Sequence, residues 1–430
     1  MAGQTLARKI CITSPWNYPL FNPENQTHFG GWEVRIGLIA KELARRGNFE
    51  VNLVVADHGQ PRIEQRDGVT LHAWVGRTIA GIPSAAERAR GIVRAQMPSL
   101  PMRIRRKALL SLEAVAWRIK PPASLVGNIG AYFVLADMIA IYDQVDADVY
   151  LVPGNSQFSA EVALYCQQRG KQYVFLAGSD MDYYPEYKLH PNRRDIQGVQ
   201  FRLKVFSIEH AALHLAQNER QAQMLREGYG RSATIIKNPI DLDHAVPRNP
   251  AARTILWVGK SDERIKRPSL ALKLAEQLPE YEFVLIMNMS IAKTHTACLA
   301  WARRLPNVTV IERVPFADIE NYFADARLHL NTSVFEGFPN TFLQAAKYGV
   351  PTVSLKVDPG AMLSERGCGV VCGGDLACVA RNLRELMTDV TRYARLSQTS
   401  LAYVRAVHDR NVIIPQYERA LATLCDATPT

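Results

Sequence analysis

No part of this sequence is apolar for long enough to cross a bilayer as a helix. The nearest stretch, residues 129–142, is interrupted by Asp137 and falls short of the ~20 residues that a membrane span needs. Nothing at the start resembles a secretory leader, so a cytoplasmic location is expected. Cysteine is scarce, 7 in 430 residues, and the odd count on a large chain argues for reduced thiols rather than a disulfide framework. Cys368, Cys372 and Cys378 cluster without a nearby histidine, a spacing that fits no common zinc site, so ordinary buried thiols are expected there. Zinc-finger spacing is missing, and so is a sheet motif with interleaved aromatics, which leaves no specific nucleic-acid module in view. Internal repeats and low-complexity tracts are also lacking.

Acidic residues are in deficit, 41 against 51 basic ones, for a net charge of +10. Part of the excess lies between Arg88 and Lys120, where Leu109, Leu112, Ala116 and Ile119 fall on one helical face. A basic amphipathic helix of this kind either packs on its own domain with a solvated basic face or lies on anionic lipid, and in the second case it gives peripheral contact with the inner face of the plasma membrane. Nonspecific attraction to phosphate polymers at low salt would carry no functional meaning.

The chain is too long for one ordinary core, and strands alternating with helical patterns predict an α/β protein with parallel sheets in two domains. Residues 9–13 read as a first strand. Gly30 and Gly31 follow a long loop and precede a helix marked by Trp32, Ile36, Ile39 and Leu43, which Gly47 ends; with no Cβ, the glycine pair lets backbone approach a ligand. Residues 50–55 read as a second strand. Further on, residues 254–258 read as a buried strand that Gly259 ends. Lys260, Arg264, Lys266 and Arg267 crowd the loop before Pro268 opens a helix, and cations beside a helix start suit a diphosphate. Residues 173–182 read as a strand ending in Asp180-Met-Asp182, a weak motif that could mislead toward a metal site.

The most informative segment is residues 331–354. Glu336 stands in a loop, Gly337-Phe-Pro-Asn340, that opens onto a helix over 341–348, with Asn340 expected as its N-cap and Gly349 and Pro351 as its stop. Residues 351–355 read as the next strand. A carboxylate beside free helix N–H groups suits a ligand bearing both hydroxyls and phosphate.

The run Glu336-Gly-Phe-Pro-Asn-Thr-Phe-Leu-Gln-Ala345 resembles the donor-site signature of retaining glycosyltransferases of the GT-B fold, family 4, in its bacterial polysaccharide-type branch. The family pattern is Glu, seven residues, Glu. Here the second acid is Gln344, as in that branch, and an amide still donates to and accepts from a ribose. The resemblance implies two Rossmann-like domains facing each other across a cleft. Residues 1–238 would form the acceptor side, 239–405 would bind the donor, and a C-terminal helix, 406–430, would cross back. The segments 215–225 and 235–241 look like the family's last N-domain unit and its crossing.

By the same resemblance, Glu336, Lys266 and Lys260 would serve catalysis. Lys260 is a lysine where arginine is usual, keeping the charge without the bidentate fork. Gly30, Gly31, Gly259, Gly337, Phe338, Asn340, Thr341 and Gln344 would contact the donor. Asp180 and Asp182 would line the acceptor side, although no histidine stands where the family often has one. No metal and no cofactor would be required. The partners implied are a nucleotide-diphosphate sugar and a lipid-linked or saccharide acceptor. The implied reaction is hexosyl-type transfer with retained configuration, in exopolysaccharide, capsule or lipopolysaccharide synthesis. A nucleotide-sugar epimerase on the same fold, or a basic nucleic-acid-binding protein without enzymatic activity, are the other readings.

Overall fold

The computed structural model describes residues 8–25, 27, 29–78, 138–195, 198–249, 251–315 and 318–426. The basic stretch from Arg88 to Lys120 and all but the end of segment 129–142 lie outside them.

The first half builds on β1 (Arg8–Thr13), α1 (Gly31–Arg46), β2 (Phe49–Asp57), β3 (Ile63–Arg66) and β4 (Val69–Thr78). After these come β5 (Val149–Pro153), α2 (Gln157–Arg169), β6 (Gln172–Leu176), β7 (Leu213–Ala216), α3 (Glu219–Tyr229) and β8 (Thr234–Ile235). The eight strands order as β3-β4-β2-β1-β5-β6-β7-β8, all parallel except for the β3–β4 pair. β5 is buried throughout, and β1 and β2 are buried over most of their length, because helices cover both faces of a parallel sheet. Helix α1 starts where the Gly30 N–H donates to Glu33 Oε2 at 2.7 Å. It ends at Gly47, whose φ of 74° is the left-handed cap that glycine adopts without strain.

The second half is a separate sheet made of β9 (Thr254–Lys260), α4 (Pro268–Gln277), β10 (Phe283–Asn288), β11 (Val308–Ile311), β12 (Ala326–Asn331), α5 (Asn340–Lys347), β13 (Thr352–Ser354) and β14 (Gly369–Val371). Its order is β11-β10-β9-β12-β13-β14, parallel throughout. The two sheets have separate cores, one around Ile10, Leu53 and Val174 and one around Trp257, Leu285 and Leu330. These are the two α/β layers expected from the alternating pattern.

The helical tail is three helices: α6 (Leu376–Thr388), α7 (Val390–Val407) and α8 (Arg410–Asp426). Asp389 makes the first break by leaving helical dihedrals, and its carboxylate then accepts from the Arg392 N–H at 2.8 Å to start α7. Helix α8 lies on the first sheet: Ile413, Ile414, Tyr417 and Leu421 are buried in the core that holds Ile10 and Ile39. Arg35, buried on α1, donates to Tyr417 Oη at 2.7 Å.

The chain therefore passes between the sheets twice, at 238–241 and at 408–410. The passages are bonded to each other, Ile240 N–H to His408 O at 2.8 Å and Arg410 N–H to Ile240 O at 2.9 Å. Arg410 also reaches Glu42, Asp241 and Asp243.

One expectation about cysteine fails. Cys372 and Cys378 are joined by a disulfide, because the turn from β14 into α6 brings their Cα atoms to 5.7 Å; the other five cysteines are free. Among the described residues, no helix is long and apolar enough to cross a membrane.

Candidate functional site

The loops at the carboxyl ends of the two sheets meet, which is where open parallel sheets bind ligands. On the second sheet, β9 runs through Gly259 to Lys260, past the predicted end, because the Ser261 N–H bonds Asn288 O at 2.9 Å and keeps the strand paired. Gly259 cannot carry a side chain: a Cβ would lie 2.7 Å from the Trp257 ring. The Trp257 indole N–H in turn donates to Thr332 Oγ1 at 2.9 Å, and Thr332 donates to Lys266 O at 2.6 Å. The Val334 N–H closes on Ile265 O at 2.9 Å. The basic loop and the loop after β12 are thus bound together by backbone, and Arg267 enters α4 with a left-handed φ of 51°.

This stitching sets Lys266 against Glu336. The Lys266 ammonium pairs with Glu336 Oε1, and Ser333 Oγ donates to the same oxygen at 2.7 Å. Ser333 is buried, and its N–H is held by Asn331 Oδ1 at 3.2 Å. Glu336 Oε2 makes no hydrogen bond among the described residues. Arg264 folds back on Asp262, whose carboxyl it holds below the usual range. Lys260 is exposed and stands across from Gly30, its Nζ 3.8 Å from where a Gly30 Cβ would be.

One expectation about the loop into α5 is corrected. Pro339, not Asn340, occupies the N-cap position; Asn340 is the first helical residue, and its amide donates across the cleft to Gly31 O at 2.6 Å. The proline's fixed φ lets it occupy the cap, which frees the asparagine side chain for the other domain. Phe338, expected to contact the donor, is buried with Ile240, Phe342 and Val404. Gly337 is there for closeness: a Cβ would stand 2.7 Å from Gly178 O and 2.9 Å from Gln217 Oε1, both on the first domain. Thr341 and Gln344 are half-buried on the first turns of α5.

Opposite, Trp32 is seated on the ends of β5 and β6. A Cβ at Gly154 or Gly178 would overlap its ring, at 1.6 and 2.3 Å. The segment holding Asp180 and Asp182 is a short 3-10 turn (Asp180–Tyr183) rather than the end of a strand. Asp182 is buried and accepts from the N–H groups of Gly178, Ser179 and Asn155 at 2.7, 2.9 and 3.0 Å. Burial raises its pKa against those bonds. Asp180 is half-buried, paired with Arg220 at 3.2 Å, and burial raises its pKa too. Of the two, only Asp180 keeps a carboxylate near the surface.

Ser333, Thr332 and Gln217 were not singled out from the sequence, and Trp32 was read only as part of the apolar face of its helix. Three polar residues in a row, Asn331-Thr-Ser333, at the end of an apolar strand were the available signal, since buried polar groups need partners.

Two parallel α/β sheets joined by a double crossing, with a cleft between their carboxyl ends, define the GT-B fold. Residues 252–389 match the family described as glycosyl transferases group 1. No curated protein matches the chain by sequence. Among solved structures, it is similar to sucrose-phosphate synthase from Thermosynechococcus elongatus (TM-score 0.71, 14% identity, 98% of this chain and 100% of that one). It is also similar to HepE from Anabaena in complex with UDP and glucose (TM-score 0.66, 16% identity, 96% and 99%). A third likeness is a variant of TarM from S. aureus in complex with fondaparinux, α-GlcNAc-glycerol and UDP (TM-score 0.66, 11% identity, 98% and 100%).

Proposed function

We propose that the protein is a glycosyltransferase that moves a sugar from a nucleotide-diphosphate sugar to an acceptor hydroxyl. The observation that carries this reading is the pairing of Lys266 with Glu336 at the carboxyl end of the second sheet, facing the Gly30–Gly31 turn of the first. The group 1 match over 252–389 covers both residues, and HepE and TarM, which share the fold, were seen with UDP.

In this reading Lys266 and Lys260 neutralise the diphosphate as it leaves, in a position fixed before the reaction starts, which is where electrostatic catalysis is most effective. The backbone N–H groups at the start of α5 add to the same field. Glu336 Oε2 accepts from hydroxyls of the donor sugar and orients it. Gly30 and Gly31 leave room for the diphosphate opposite. Asp180 belongs to the acceptor side. The leaving phosphate assists deprotonation of the acceptor, so that configuration is retained and no metal is needed. The acceptor is a saccharide or lipid-linked intermediate in polysaccharide synthesis, reached at the inner face of the plasma membrane.

The test is calorimetric titration with UDP, GDP and ADP, with and without EDTA, followed by product analysis of the matching nucleotide sugars. EDTA-insensitive binding of one nucleotide, together with a new glycosidic bond in the product, supports the reading. Turnover of the nucleotide sugar alone to an epimer, with no acceptor consumed, refutes it. Flotation with anionic vesicles at low salt tests the membrane contact, and protein left at the bottom of the gradient rules it out.

A further inference from the structure

Loop 336–340 is held from two directions. On one side it touches the first domain, through Asn340 to Gly31 O and through the closeness of Gly337 to Gly178. On the other, it is fastened to the place where the chain changes domain. The Asn238 side-chain amide donates to Phe338 O at 3.2 Å. The Asn238 carbonyl accepts from His408 Nδ1 at 2.7 Å, which makes that nitrogen the protonated one. The imidazole lies against the Phe338 ring, centroids 4.9 Å apart, and against Tyr403 at 5.4 Å. Asn238 and His408 come from the two separate crossings, and Ile240 and Val404 complete the apolar surround of Phe338.

Packing alone does not account for these residue types. Asn238 and His408 are buried, and Asn238 Oδ1 and His408 Nε2 have no hydrogen-bond partner among the described residues. An apolar pair of similar volume would fill the space without stranding two acceptors, so the polar pair is kept for the directional bonds that it makes. Those bonds run in series, from His408 on the second crossing to Asn238 O on the first, and from the Asn238 amide to Phe338 O, two residues from Glu336.

We propose that Asn238 and His408 are positioning residues that tie the interdomain crossing to loop 336–340, so that the angle between the domains sets where Glu336 stands. The chemistry of this coupling rests on the donor-site reading, whereas its mechanics do not. Rotation about the crossing moves Phe338 O, and with it the carboxylate on one side and Asn340 on the other. A ligand drawn to Glu336 would in turn tighten the crossing, since coupling between two sites is reciprocal.

Hydrogen exchange of the full chain tests this, comparing the wild type with Asn238→Asp, which cannot donate to Phe338 O, and with His408→Leu and His408→Gln. In the unliganded protein, Asn238→Asp and His408→Leu are expected to exchange the amides of Gly337, Phe338 and Asn340 about tenfold faster, with the sheets unchanged, because the loop loses its tether. His408→Gln can still donate to Asn238 O and is expected to stay near the wild type. Exchange at 337–340 that is the same in all four proteins overturns the proposal. If Asn238→Asp does not fold, the two histidine variants decide the question.

Millimolar UDP provides the second reading. In the wild type it is expected to slow exchange at the Ile240 and Arg410 amides, and in His408→Leu that slowing is lost while UDP still binds. Binding with no effect at Ile240 and Arg410 in the wild type counts against the coupling. A wild type that binds none of UDP, GDP and ADP removes the donor-site reading, and the unliganded comparison still decides the tether; if GDP or ADP binds instead, that nucleotide takes the place of UDP here. With a working assay, His408→Leu lowers kcat with little change in donor KM, and His408→Gln restores it.

Discussion

In the unliganded protein Glu336 has an uneven environment: Oε1 is shared by Lys266 and Ser333, while Oε2 is unclaimed among the described residues. Lys266 therefore has two roles that compete, pairing with a carboxylate at rest and meeting a diphosphate in use. Lys266→Ala is expected to lower kcat by about two to three orders of magnitude while the fold persists, the usual size for losing one preorganised electrostatic group; single-turnover kinetics with circular dichroism as control would measure it. Glu336→Gln is expected to act in opposite directions on two quantities. It should cut transfer, but tighten the binding of bare UDP by about threefold, because the half-exposed Lys266 no longer has to leave a charged partner. Calorimetry of the variant with UDP checks this, and weaker binding would place Glu336 in direct contact with the nucleotide. At Gly337 the issue is contact. A Cβ there meets a backbone carbonyl of the other domain at 2.7 Å, so Gly337→Ala is expected to hold the cleft open and to reduce kcat about tenfold through misplacement alone, with little change in melting temperature.

Helix α5 shows how much of the site was legible at the scale of an element. Its length, the glycine that ends it and the strand after it follow from residues 340–354, because local rules for caps and stops govern them. Its start did not follow. Asn340 has a good capping side chain, yet a proline before it takes the cap position, and a backbone carbonyl 309 positions away in sequence claims the amide. Asn340→Ala should accordingly leave α5 intact and loosen the cleft. Small-angle scattering would register the wider domain separation, and an unchanged curve would rule out a clamp role for this contact. The same limit applies to the polar triplet 331–333. The alternating strands and helices named the two α/β layers, but which loop side chains would bond to which depends on contacts between distant segments. Phe338 reads as part of a ligand motif, and the packing of its side chain was not legible, since nothing in the residues around it shows that Ile240 and His408 will arrive beside it.

For the whole molecule, burial of histidine sets the acid limit. His214 and His329 are lowered to about 3 and His408 to about 4, each chiefly by burial. Each is neutral in the folded chain and titrates near 6.5 when unfolded, so the unfolded state binds more protons below that pH. Their contribution is intact above about pH 6.5 and is lost as pH falls from there toward 4, at up to ~4 kcal/mol per pH unit for the three together. Denaturant melts at pH 7, 6 and 5 should show the midpoint dropping steeply between the last two. A flat profile would mean that these rings reach water.

Helix α8 follows the second domain in the chain and yet belongs to the core of the first. Ile413, Ile414, Tyr417 and Leu421 fill space between elements that have left the ribosome some 370 residues earlier. The first sheet thus stays unsealed while the second domain is being produced, with Ile10, Ile36 and Ile39 lacking part of their cover. A nascent chain halted before residue 410 would carry a finished second domain and an unfinished first, which makes the emergence of α8 the moment at which the first domain becomes resistant to proteases.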